Sequence, residues 1–309
     1  MQQTTLIGIP LDLGAENLGV DIGPDAFRHN SIVEKLAKAG LQVTDSGNVD
    51  ARDRRDLDPG NPRSRYEAEI IRVSEETALR SSEAVRSGNK VVALGGDHSI
   101  NLGVVAGASN ALEGNLGLVY FDAHGDMNTE ETTLSGNIHG MHLAALLGFG
   151  GQGLKSVGGP QVKIQKQNLL HIGGNDFDQA ELDLIKRENL AAFTLFDILT
   201  QGLAPLLRMV DDLASRVDNI WVSVDLDVID RMYAPGAGMP NPSGLTYREI
   251  ALITEYIGKK TNVVGVDVVE YNPLQDKKAK TAELGIELIA KLFGKNYSWY
   301  TNYMERNKV

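Results

Sequence analysis

The sequence predicts an α/β fold, formed by a single three-layer αβα domain over residues 1–309 with a mostly parallel sheet of about eight strands. Short continuous apolar runs, typical of parallel strands buried on both faces, alternate with longer segments of helical periodicity. A chain of 309 residues can bury most of its unfolded surface in one core. The sequence contains no repeat of fixed period. It also shows no shift in composition that would mark a linker between two domains.

Six apolar runs are the clearest strand candidates along the chain. They cover residues 5–9, 90–94, 116–121, 169–172, 219–224 and 262–269, and weaker candidates cover 41–43 and 191–195. Residues 65–86 place Ile70, Val73 and Leu79 on one side and charged residues on the other, which predicts an amphipathic helix. The charged segment 50–65 and the glycine-rich segment 148–160 predict two long loops.

The composition excludes several classes of protein. With no cysteine, the chain has no disulfides, thiolate metal sites or thiol nucleophiles. The net charge is −11 and no basic cluster is strong enough to follow a phosphate backbone, so we expect no nucleic-acid partner. Residues 1–10 lack the pattern of a signal peptide, and no apolar run is long enough to span a membrane. We therefore expect a cytoplasmic protein without a membrane partner.

Acidic and imidazole side chains follow four of the predicted strands. They are Asp97 and His98 after strand 90–94, Asp122, His124 and Asp126 after strand 116–121, Asp225 and Asp227 after strand 219–224, and Glu270 after strand 262–269. The carboxyl ends of parallel strands meet at one edge of the sheet, where ligands bind, so we expect these side chains to lie close together. Extended backbone would point Asp122, His124 and Asp126 to the same side.

These clusters together favour a metal site. Each one alone is more typical of a helix cap, a turn or a hydrogen-bonded core histidine. Carboxylates gathered at one edge, however, repel one another and are costly to desolvate unless cations neutralise them. Four Asp and two His without sulfur suit manganese or another first-row divalent ion. Shared Asp ligands suggest two ions roughly 3.5–4 Å apart that lower the pKa of a bridging water.

The acidic and imidazole residues lie within longer motifs. These are GVDIGP at 19–24, GGDHS at 95–99, DAHGDMN at 122–128, SGNIHG at 135–140, SVDLD at 223–227 and EYNP at 270–273. In these motifs the sequence resembles the arginase family of the ureohydrolase superfamily. They occur in the expected order over nearly the whole chain.

The resemblance implies two Mn²⁺ ions per subunit. One ion would be held by His98, Asp122, Asp126 and Asp225, and the other by Asp122, His124, Asp225 and Asp227. It also implies that a metal-bridging hydroxide attacks the guanidinium carbon of L-arginine, and that the tetrahedral intermediate gives L-ornithine and urea. Glu270 would orient the guanidinium group and His139 would relay protons. Asp126 would join them in the catalytic set through the ion that it holds.

The resemblance also implies how the amino-acid end of the substrate is bound. Asn128, Ser135 and Asn137 match positions that bind the α-carboxylate, and Thr133 lies in the same loop. Asp178 and Glu181 match positions that face the α-amino group. A simple serine or asparagine turn is the alternative interpretation of Ser135 and Asn137.

Four residues depart from the family pattern, and they keep other functions open. Met239 stands where Thr is usual, Asn175 where Arg is usual, and Arg231 and His142 where Pro is usual. The alternatives are an agmatinase, a formimidoylglutamase or a guanidino-acid hydrolase, or a metal-binding homologue with little turnover. The resemblance further implies a homotrimer or a homohexamer.

Overall fold

A computed structural model of the protein describes residues 3–298, which contain one eight-stranded sheet. The strands are β1 (Gln3–Ile9), β2 (Gln42–Asn48), β3 (Lys90–Gly95), β4 (Gly117–Phe121), β5 (Leu169–Ile172), β6 (Ala191–Phe193), β7 (Ile220–Asp225) and β8 (Val263–Val269). Their order across the sheet is β2-β1-β3-β8-β7-β4-β5-β6, and each pairing between neighbours is parallel. The predicted α/β class and number of strands are confirmed.

Helices cover both faces of this sheet and complete the three layers. One face carries α1 (Gly23–His29), α2 (Ile32–Lys38), α8 (Leu195–Gln201), α9 (Leu203–Ala214), α10 (Tyr247–Lys260) and α11 (Lys280–Leu292). The other carries α3 (Glu67–Arg86), α4 (Asn101–Ala111), α5 (His142–Leu146), α6 (Gln152–Lys155) and α7 (Gln179–Glu188). None of the described helices is long and apolar enough to cross a membrane.

The alternation of side chains along each strand divides the core in two. In β3, Val92 and Leu94 pack on the face of α1 and α11, while Val91 and Ala93 pack on the face of α3 and α4. Both faces of the central strands are therefore buried. This double burial explains why these strands appear in the sequence as continuous apolar runs.

The differences from the predicted elements lie at the edges and ends. Strand β2 is longer than the predicted run 41–43, and most of its residues are exposed because it lies at an edge of the sheet. Helix α3 begins at Glu67, two residues after the predicted start. The predicted loop 50–65 contains a short 3-10 turn, and the loop 148–160 contains the four-residue helix α6.

The order of the strands brings the four polar clusters side by side. Strands β3, β8, β7 and β4 are consecutive neighbours, so the segments that follow them leave the same edge of the sheet. Gly96 allows the segment after β3 to pack against the segment after β1, since a Cβ atom at this position would lie 1.8 Å from the Leu11 carbonyl oxygen. The segments after β1 and β3 therefore pack closely together at this edge.

Candidate active site

The carboxyl edge of the sheet holds a first group of acidic side chains around His98. The Nδ1 atom of His98 lies 2.8 Å from Asp122 Oδ2, 3.2 Å from Asp225 Oδ2 and 3.3 Å from Asp126 Oδ2. All four residues are buried. Three loops that are far apart in the sequence therefore supply one compact set of oxygen and nitrogen ligands.

A second group adjoins the first through Asp122. The Nδ1 atom of His124 lies 3.3 Å from Asp122 Oδ1 and 3.1 Å from Asp227 Oδ2. The two oxygens of Asp122 thus face the two histidines, one each. The structure brings together all six side chains predicted from the sequence as metal ligands, and Asp122 lies between the two groups.

Hydrogen bonds behind His98 leave its Nδ1 atom pointing into this cluster. Ser223 donates its hydroxyl proton to Asp267 Oδ1 at 2.6 Å, so its oxygen accepts from His98 Nε2 at 2.8 Å. Asp267 also accepts from Trp221 and Asn101. This buried network orients the imidazole ring, as outer hydrogen bonds commonly do for metal-binding histidines.

The acidic residues of the cluster compete for protons. Burial, with the charges of Asp227 and Asp122, raises the pKa of Asp225 well above its usual value. Burial and the charge of Asp122 raise the pKa of Asp227 to about 6. Burial opposes a charge on His98, but hydrogen bonds to the acidic groups outweigh it and raise the pKa of His98 well above its usual value. In the absence of a cation, protons held by His98 and Asp225 therefore offset part of the negative charge of the cluster.

The side chains present fit a pair of hard divalent cations. The sets His98, Asp122, Asp225 and Asp122, His124, Asp227 each place three ligand atoms close enough to hold an ion. The buried Oδ2 atom of Asp122 has the His98 Nδ1 atom, 2.8 Å away, as its charged neighbour, and no other donor of the described chain forms a hydrogen bond to it. A donor set of carboxylate oxygens and imidazole nitrogens without sulfur suits a hard divalent cation better than it suits a structural zinc ion.

The path of the chain after β4 differs from the extended backbone expected there. The strand ends at Phe121, and Asp126 has a φ of 53°. This value lies in the left-handed region, which is unfavourable for residues other than glycine. A turn, not strand alternation, therefore directs Asp126 toward His98. Glu270 has a φ of 58°, and such strained residues cluster at functional sites.

His139 and Glu270 lie beside the cluster and contact each other. The Nδ1 atom of His139 is 3.3 Å from Glu270 Oε1. Burial opposes the charge on His139, but the hydrogen bond and charge of Glu270 outweigh it and raise the pKa of His139 to about 9. A protonated His139 is therefore available at neutral pH, and it can donate a proton into the cavity.

A cavity of about 280 Å³ opens above these residues. Its wall contains twelve of the predicted site residues, namely His124, Asp126, Asn128, Thr133, Ser135, Asn137, His139, Asp178, Glu181, Asp225, Asp227 and Glu270. His98 and Asp122 are fully buried beneath it. Metal ligands, the histidine and the polar loop thus face one common space.

Several of the predicted substrate contacts also hold the local structure. Ser135 Oγ accepts from the Asn137 amide at 3.2 Å, which is a serine turn. Asn128 donates to Asp178 Oδ2 at 2.8 Å. Glu181 accepts from the backbone amides of Met127 and Asp178, and burial raises its pKa to about 7. These bonds connect the polar loop, the segment after β4 and the start of α7.

Some residues at the site were not predicted as functional from the sequence. Arg65 donates to Asn137 Oδ1 and to Glu16 Oε1, although the sequence indicated only a helix at Arg65. Tyr120 lies behind Asp126 and was assigned only to a strand. Of the departures from the family pattern, Met239 lines the cavity, whereas Asn175 donates to the Ser243 carbonyl oxygen.

The fold and the site define an α/β protein with a candidate metal centre of carboxylates and imidazoles at the carboxyl edge of its sheet. Comparisons with known proteins identify the family. The arginase family profile matches residues 2–294. The arginase of Bacillus caldovelox is 36% identical over 296 residues, which are 95% of this chain and 99% of that protein. The arginase of Brevibacillus brevis is 36% identical over 291 residues, which are 94% and 97% of the two chains.

Solved structures agree with this assignment. The structure of the Bacillus caldovelox arginase is 35% identical in sequence and matches with a TM-score of 0.92. The match covers 96% of this chain and 100% of that chain. An Entamoeba histolytica arginase in complex with L-ornithine has a TM-score of 0.87 and 30% identity, covering 95% and 100%. The chain belongs to the arginase family, and it is a hydrolase of that family's type.

Proposed function

We propose that this protein hydrolyses the guanidinium group of L-arginine to give L-ornithine and urea, and that it requires two Mn²⁺ ions per subunit. The observation that carries the proposal is the buried cluster at the floor of the cavity, where Asp122 lies between His98 and His124. The walls of the same cavity hold His139 and Glu270. The similar proteins named as arginases support the choice of reaction.

The residues would hold the ions in two overlapping sets. One set is His98, Asp122, Asp126 and Asp225, and the other is Asp122, His124, Asp225 and Asp227. When bound, the two ions would act as Lewis acids and activate a water molecule for attack on the guanidinium carbon. The buried carboxylates would then be neutralised by cations in place of protons.

Glu270 and His139 act on the guanidinium end of the substrate. Glu270 Oε1 accepts from the His98 amide at 3.0 Å and lies next to His139, so its position is fixed from two sides. A carboxylate at the cavity wall orients a guanidinium group by a charge-assisted hydrogen bond. His139, which pairs with Glu270 at 3.3 Å, supplies the proton that the leaving amine nitrogen requires.

The polar loop binds the amino-acid end of the substrate. Asn128, Ser135 and Asn137 donate hydrogen bonds to the α-carboxylate, and Thr133 supports the loop by accepting from the Gly136 amide at 2.9 Å. Asp178 and Glu181 face the α-amino group from the other wall. Arg65 donates to the side-chain oxygen Oδ1 of Asn137, which leaves the side-chain nitrogen Nδ2 of Asn137 available as a donor.

The resemblance to the arginase family supports a one-domain subunit that assembles into a cytoplasmic homotrimer or homohexamer. Light scattering coupled to size-exclusion chromatography measures the number of subunits.

A substrate panel tests the proposed reaction. The protein loaded with Mn²⁺ is incubated with L-arginine, agmatine, a guanidino acid or formimidoylglutamate, and the release of urea or formamide is measured. We expect the highest kcat/KM for L-arginine, and chelator-treated protein is the control. A preference for one of the other substrates would assign the chain to that activity. Metal binding without release of product from any substrate would indicate a homologue that has lost turnover, an alternative motivated by Met239 at the cavity wall.

A further inference from the structure

Two fully buried polar side chains, Tyr120 and His142, lie directly behind the cluster. The Tyr120 hydroxyl donates to Asp126 Oδ2 at 2.6 Å, and its oxygen lies 3.0 Å from His98 Nδ1. The rings of Tyr120 and His98 are stacked, with centroids 4.8 Å apart and an angle of 3° between their planes. A buried hydroxyl in this position contacts two of the proposed ligands at once.

His142 continues this contact toward the loop that carries His139. Its Nδ1 atom lies 2.6 Å from the His139 carbonyl oxygen, and its Nε2 atom lies 3.1 Å from the Tyr120 hydroxyl. A carbonyl oxygen can only accept, so Nδ1 carries the proton and Nε2 can only accept. The single phenol proton is then shared between Asp126 Oδ2, the nearer acceptor at 2.6 Å, and His142 Nε2 at 3.1 Å. The backbone of Asp126 also contacts helix α5, which begins at His142, because the Asp126 carbonyl oxygen accepts from the Ala144 amide at 3.4 Å.

These bonds distinguish His142 from a metal ligand. His98, Asp126 and His142 lie close enough to one another to hold a cation. The Nδ1 atom of His142 donates to the His139 carbonyl oxygen, however, and its Nε2 atom shares the phenol proton of Tyr120 with Asp126 Oδ2. His142 can therefore act on the cluster only through its neighbours.

We propose that Tyr120 and His142 form a positioning pair, which holds Asp126 in its ligand geometry and links it to the His139 loop. Asp126 needs such support because its backbone is in the left-handed region, at a φ of 53°, and loses the alignment that an extended strand would provide. The proposal rests on the metal centre proposed above. Loss of an outer hydrogen bond of this kind typically lowers metal affinity by about 10- to 100-fold.

Two variants test the pair through different atoms. Tyr120→Phe removes only the hydroxyl group. His142→Pro removes the imidazole at the first residue of α5, a position where proline is favoured in helices. Tyr247→Phe is the matched control, since it removes a hydroxyl that donates to the buried Glu287 at 2.7 Å in the layer on the opposite face of the sheet.

The measurements are Mn²⁺ affinity and stoichiometry, obtained by calorimetry and by elemental analysis after dialysis, together with electron paramagnetic resonance of the bound ions. For both variants we expect one of the two ions to bind about 10- to 100-fold more weakly, and the signal of a coupled pair to be replaced by that of a single ion. Raised Mn²⁺ should restore the coupled signal. Melting temperatures without metal, compared with that of Tyr247→Phe, separate this effect from a general loss of stability.

The outcomes separate this proposal from the one on which it rests. Wild-type protein that binds no Mn²⁺ would overturn the proposed metal centre and, with it, the positioning pair. Wild-type protein that binds two ions, together with variants that bind both with unchanged affinity, would overturn the positioning pair alone. A variant that fails to recover the second ion at high Mn²⁺, while keeping its fold, would also contradict a role limited to positioning.

Discussion

The Nδ1 atom of His139 and the Oε1 atom of Glu270 lie 3.3 Å apart, which pairs the proposed proton donor with the proposed guanidinium-binding carboxylate. The same oxygen accepts from the His98 amide at 3.0 Å. One carboxylate oxygen thus connects the metal-binding segment after β3 with the loop that carries His139. Roles that the sequence assigned separately are therefore coupled in the structure.

This contact makes the pKa of His139 depend on Glu270. In metal-free protein we expect NMR titration to find the His139 pKa near 9, above its ordinary value of 6.5, and Glu270→Gln to lower it. Because the folded-state pKa is raised, the pair stabilises the fold fully below pH 6.5, and this stabilisation is lost as the pH rises through about 9. An unchanged His139 pKa in Glu270→Gln would contradict the pairing.

Replacement of His139 should separate catalysis from metal binding. We expect His139→Ala to lower kcat by about 10²- to 10⁴-fold, the usual contribution of a proton donor, with nearly unchanged manganese content. Steady-state kinetics and elemental analysis of the same preparation measure both quantities. Loss of manganese in this variant would instead assign His139 to the metal ligands.

Removal of metal should destabilise the protein. The carboxylates of Asp122, Asp225 and Asp227 crowd one buried edge, so cations that bind only the folded state should raise its melting temperature by mass action. Thermal unfolding with Mn²⁺ and with chelator measures the shift, which Asp227→Asn should reduce. Asp211→Asn is the control, because Asp211 lies on the surface and accepts from Tyr256, and this variant should show the full shift in melting temperature. Equal melting temperatures at confirmed different metal contents would contradict the proposed site.

The polar loop should discriminate between substrates with and without a carboxylate. Replacing Ser135 and Asn137 with Ala should raise the KM for L-arginine, since each hydrogen bond to a charged group is worth about 1.5–3 kcal/mol. The hydrolysis of agmatine, which has no carboxylate, should change much less. Comparison of kcat/KM for the two substrates isolates the contact. Equal losses for both would favour a purely structural serine turn.

Arg65 should influence the same subsite through Asn137. Arg65→Ala removes the donor that occupies Asn137 Oδ1, which frees the side-chain amide to rotate, so we expect a higher KM for L-arginine with a smaller change in kcat. Arg55→Ala is a suitable control, because Arg55 pairs only with Asp53 in an exposed turn among the contacts described for residues 3–298. Kinetics with agmatine should be nearly unaffected by either change.

Sequence analysis could predict the central sheet because its strands are buried on both faces. Strands such as β8 therefore consist almost entirely of apolar residues, and their carboxyl ends carry the acidic motifs. The edge strand β2 was only partly predicted, since it has one neighbouring strand and exposes most of its side chains. Its residues are selected less by burial, so the apolar signal is weak.

By itself, the sequence determined the fold class, the resemblance to the arginase family and the set of acidic and imidazole residues, because these depend on local patterns and on spacing along the chain. Only the tertiary structure decided that Asp126 reaches the cluster by a left-handed turn, and that Tyr120, His142 and Arg65 support the site. Buried hydrogen bonds such as those of Tyr120 join loops on different strands. Their partners are set by the packing of the sheet and its helices, and no local pattern in the sequence encodes that packing.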